Sequence, residues 1–107
     1  MDERPIIDLA QLERQTMDDQ ALRDEVLGMF VRQLEDALRD IGAEPQGARD
    51  HGALAHQILG TARALGAFPL AQAADCLDRN EDRGALDDFV RHLKEARAEA
   101  QRLLEAR

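Results

Sequence analysis

Between Leu22 and Ile41 the chain repeats one rhythm. Leu22, Val26, Leu27, Phe30, Val31, Leu34, Leu38 and Ile41 return at three- and four-residue spacing. Such spacing builds one buried stripe on an α-helix and cannot build one face of a strand. A second such stripe follows near the end, through Leu86, Phe89, Val90, Leu93, Ala100, Leu103 and Leu104. β-branched residues are few, and Leu, Ala, Arg, Glu and Asp dominate, so a sheet is not expected.

Punctuation divides the chain into helices. A short leader starts near Asp8, with Gln11 three residues on in a capping-box pattern and Leu9 and Leu12 as its apolar residues. The first long helix is predicted from Asp18 or Asp19 to Ile41, with Gly42 as a left-handed cap and Pro45 and Gly47 breaking the chain. The next runs from Arg49 or Asp50 to Leu65, capped by Asp50 at its start and ended by Gly66. Pro69 suits the first turn of a third helix through Leu70, Ala73, Ala74 and Leu77. A polar turn over 80–84 leads to the last helix, about Ala85 to Glu105. Short connections favour antiparallel neighbours. The expected fold is therefore all-α, an antiparallel up-and-down four-helix bundle with a short extra N-terminal helix. The 107 residues suit one domain with a modest core.

The net charge of -8 argues against nucleic acid and against anionic membranes as partners. Cys76 is the sole cysteine, so no internal disulfide can form, and a reducing compartment fits. No signal peptide and no apolar run of membrane-spanning length is present, so a cytoplasmic protein is expected. Met1 leads to the expectation of a free-standing chain.

Chemistry concentrates in AHQILGTARALGA, residues 55–67. On a helical wheel with Leu54 at the origin, Ile58 falls at about 40° and Leu65 at about 20°. His56 falls at about 200°, Arg63 at about 180° and Gly60 at about 240°. His56 thus faces away from the stripe, beside Gly52, Gly60 and Arg63. A mid-helix glycine costs about 1 kcal/mol relative to alanine. At position 60 it leaves room for another surface to approach the imidazole. An outward imidazole is a competent nucleophile, and Arg63 is placed to receive an anion attached to it. The same residues also suit a plain solvated helix face, with a surface histidine and a surface arginine.

The stretch from Ala55 to Asp78, AHQILGTARALGAFPLAQAADCLD, resembles the histidine-containing phosphotransfer (HPt) domain family. The matching residues are Ala55, His56, Ile58, Gly60, Thr61, Gly66, Ala67, Leu70, Leu77 and Asp78. A weaker likeness covers nearly the whole chain, through Asp8, Leu9 and Phe30.

The resemblance implies an HPt-like domain over residues 1–107 that carries a phosphoryl group on His56 between receiver-domain aspartates in a phosphorelay. It implies a carrier, not an enzyme, with no ATP-binding or kinase segment and no metal or cofactor of its own. Mg²⁺ is expected on the partner. Response-regulator receiver domains are the expected partners, with a hybrid histidine kinase as a further one, and the carrier itself is expected to be a monomer.

Asp78 would hold the imidazole through Nδ1 and leave Nε2 free, an orienting role like that of a triad acid; its other reading is a solvated helix charge. The family carries lysine three residues after the histidine. Leu59 stands there, and Arg63 is the expected substitute. Gly52, Leu59 and Gly60 would form the docking surface, Leu59 as part of an apolar rim. The missing lysine also admits a module that binds or sequesters a receiver without being phosphorylated, and a bundle with an unrelated scaffold role stays open. Cys76 is read as a packing residue rather than a nucleophile.

Overall fold

The computed structural model describes residues 4–43, 51–79 and 83–106. They form five helices: α1 (Leu9–Gln15), α2 (Gln20–Ala43), α3 (Gly52–Leu65), α4 (Phe68–Arg79) and α5 (Arg83–Glu105). No strand occurs among the described residues. No described helix is long and apolar enough to cross a membrane.

The long helices follow the apolar rhythm. Leu27, Phe30, Val31, Leu34 and Ala37 of α2 join Phe89, Leu93, Ala96, Ala100 and Leu103 of α5 in one contiguous core, with α3 and α4 supplying Ile58, Leu65, Leu70 and Leu77. α3 packs most extensively on α4, α2 on α5, and α4 on α5; α2 touches α3 only slightly. In the last turns of α5, Arg102 donates two hydrogen bonds to the Glu99 carboxylate, at 2.8 and 2.6 Å, and holds its pKa below the usual value.

Helix ends explain how the pieces are joined. Asp19 accepts from the Leu22 amide at 3.1 Å and so caps α2. Gly42 does not act as a left-handed cap. α2 runs through it to Ala43, and Gly66 is the one glycine with positive φ among the described residues. The predicted Asp50 cap, Pro45 and Gly47 lie outside the described residues, as do positions 80–82 of the predicted turn. Gly84 is already helical.

α3 ends in a Schellman motif. Gly66 has φ 84°, the Ala67 amide donates to Ala62 O at 2.8 Å, and the Gly66 amide donates to Arg63 O at 3.4 Å. This turn sends α4 back along α3, with Pro69 in the first turn of α4.

α1 closes the same corner. Asp8 accepts from the Gln11 amide at 3.3 Å, but the reciprocal half of a capping box is missing. The Asp8 amide donates to Gly66 O at 2.8 Å, and Gln11 Nε2 donates to Ala64 O at 3.1 Å. Both groups serve a distant helix end instead. Accordingly Ile7 and Leu12 are buried, while Leu9 is exposed.

Candidate functional site

His56 is the fifth residue of α3, on the side turned from the core. Its side chain is 74% exposed. The reversal at Gly66 runs α4 antiparallel to α3 and brings Asp78, near the end of α4, opposite His56. The Nδ1···Oδ2 distance is 3.2 Å. A carboxylate oxygen only accepts, so Nδ1–H is the donor in this pair. In the neutral ring the lone pair then lies on Nε2. The site is thus an oriented imidazole with its nucleophilic nitrogen open to solvent.

Gly60 lies one turn beyond His56 and is exposed. A Cβ built there would meet nothing within 4 Å. No neighbouring helix therefore requires this glycine, although it weakens α3. Beside it a groove of about 530 Å³ runs between α2 and α3, lined by Val26, Met29, Phe30, Gly60, Thr61 and Ala64 among others. The weak packing of α2 against α3 leaves this groove open. Met29 is 56% exposed at its edge. In the sequence Met29 is marked only as an apolar residue outside the α2 stripe.

The other predicted residues fall in different settings. Gly52 is half-buried at the first position of α3, one turn before His56. Leu59 is only 6% exposed and belongs to the core, so it forms no docking rim. The reason is that Ala55, Ile58, Leu59 and Ala62 together face the core, a buried face broader than the Leu54 stripe. Leu54 itself is only partly buried.

Arg63 is exposed on the His56 side, seven residues on, about 10 Å along the axis. It lines a cleft with Arg4, Phe68, Ala71, Gln72 and Asp75, and no hydrogen bond joins it to His56. Cys76 is exposed, which corrects its reading as a packing residue. His51 is buried, and His92, with Nδ1 2.9 Å from Asp88 O, has a mostly buried side chain, so neither duplicates the open geometry of His56.

No family model matches this chain, and no curated protein or solved structure matches it either.

Proposed function

We propose that this chain is a histidine phosphotransfer protein of the phosphorelay kind, carrying a phosphoryl group on His56. The observation that carries the reading is the exposed imidazole whose Nδ1 is held by Asp78 from the neighbouring helix. Nε2 attacks the phosphorus of an aspartyl phosphate on a receiver domain in line. The N–P bond forms as the P–O bond to the aspartate breaks, and the carboxylate leaves with the electron pair. A second aspartate reverses the exchange. Positioning and charge neutralisation carry most such transfers. Mg²⁺ belongs to the receiver's acidic pocket in this scheme, and the carrier needs no ATP site, cofactor or enzymatic machinery.

In this reading α2 to α5 form an up-and-down four-helix bundle with α1 as the extra helix. The packing of α3 on α4, α4 on α5 and α5 on α2 supports it. The protein works as a cytoplasmic monomer that meets receiver domains, including those of hybrid kinases. The groove beside Gly60 suits an apolar patch on the docking receiver.

One observation favours a second reading. Leu59 is buried where the family's lysine would stand, so no ammonium reaches the phosphoryl position from there. A module that sequesters a receiver without carrying phosphate follows from that loss.

Incubation with phosphorylated receiver domains separates the readings. A carrier acquires an acid-labile, base-stable label that maps to the peptide containing His56. Binding without label supports sequestration, and neither result supports an unrelated scaffold.

Gly60 supplies a second check. Gly60→Ala is expected to raise stability by about 0.5–1 kcal/mol, since helix propensity improves and the methyl group meets open space. Gly60→Leu is expected to fold equally well yet slow labelling about tenfold, equivalent to about 1.4 kcal/mol of barrier. Urea titration and the labelling rate read the two effects independently.

A further inference from the structure

The side of α3 and α4 that carries His56 holds a second polar feature two turns further along. The cleft of about 450 Å³ at Arg63 has Phe68 and Ala71 from the first turn of α4 as its apolar lining. Arg4 enters it from the N-terminal segment, and its Nη2 donates to Gln72 Oε1 at 2.5 Å. Asp75 is the carboxylate of the cleft, and Arg79 Nε donates to Asp75 Oδ1 at 3.1 Å, offsetting its charge. The Arg63 side chain makes no hydrogen bond or ion pair among the described residues. With Asp75 offset by Arg79, the Arg63 guanidinium leaves a positive charge in the cleft of a chain whose net charge is -8. The N-terminal end of α4 adds positive partial charge.

We propose that this cleft binds a carboxylate side chain from an acidic segment of the protein that docks over His56. The partner's identity rests on the phosphotransfer reading; the cleft's chemistry does not. A guanidinium takes a carboxylate in two parallel bonds, and the apolar lining suits the methylene groups of a glutamate. Arg63 then acts in docking, as a specificity-determining residue, rather than on the phosphoryl group.

Titration of the ¹⁵N-labelled protein at low salt with a triglutamate peptide capped at both ends tests this. Saturable shifts are expected at the Arg63 Nε–H and at the Ala71 and Gln72 amides. Arg63→Gln should weaken them about tenfold, the worth of one charge-assisted pair. Both arginines reach solvent, so neither Arg63→Gln nor Arg4→Gln threatens the fold. Three results would overturn the proposal: no saturable shift, unchanged binding in Arg63→Gln, or inorganic phosphate binding more tightly than the peptide. Peptide binding without any label on His56 would retain the cleft and remove phosphotransfer.

Discussion

Replacing His56 by glutamine is expected to abolish phosphoryl labelling while leaving the thermal midpoint within about 4 °C, because an exposed pair of this kind contributes about 0–1 kcal/mol. The two halves of that result have separate causes. The ring is 74% exposed and its hydrogen bond reaches only to Asp78, so removing it leaves no cavity. A glutamine amide can still donate to the Asp78 carboxylate. Chemistry is another matter, since an amide nitrogen has no nucleophilic lone pair to offer phosphorus. No other histidine replaces it: His51 is buried, and the His92 side chain is only 17% exposed.

Asp78→Ala should act more mildly in the same assay. The imidazole would keep its nitrogen but lose the partner that fixes its tautomer and orientation, so labelling slows without vanishing. Mass mapping of the label in the three proteins decides the matter. Undiminished label in His56→Gln would end the phosphotransfer reading.

Local sequence carried some of this site and not the rest, for physical reasons that differ by residue. The outward aspect of His56 and Gly60 follows from helical periodicity, which fixes angles around one helix. The pairing of His56 with Asp78 follows from the turn at Gly66, because antiparallel helices joined by a short turn match residues at equal distances from it. Leu59 was misplaced because a single helix's stripe does not say how far its neighbours wrap around it. Ala55 and Ala62 carry too little apolar weight to widen the stripe, yet both are fully buried.

Gly42 looked like a terminator because glycine often is one, but a glycine can also remain helical at a modest cost. The Asp8 and Gln11 pattern was legible as a cap. Its second use, at Gly66 and Ala64, lies more than fifty residues away and no local pattern contains it. Arg63 joins its cleft through Arg4 and Gln72, and no pattern local to α3 contains either.

Gly66→Ala should be far more damaging than the same methyl at Gly28, Gly42 or Gly60. Two effects act together. The residue has φ 84°, and holding an ordinary L-residue in the left-handed region costs about 1–2 kcal/mol. The new Cβ would also stand 2.7 Å from Asp8 O, 3.1 Å from Gln11 Cβ and 3.2 Å from Asp8 Cβ. The nearest of these is backbone, so relief requires α1 to move as a unit. That movement strains the bond from the Asp8 amide to Gly66 O and the one from Gln11 to Ala64 O, each worth about 0.5–1.5 kcal/mol. The sum is about 3 kcal/mol, which for a domain of this size lowers the thermal midpoint by roughly 12–24 °C. Calorimetry of Gly66→Ala beside Gly60→Ala gives an internal comparison: the same methyl, at the end of α3 and in its middle, is expected to act with opposite sign. An unchanged midpoint in Gly66→Ala would mean that α1 does not seat on this turn, and the corner that sets α4 against α3 would need another explanation.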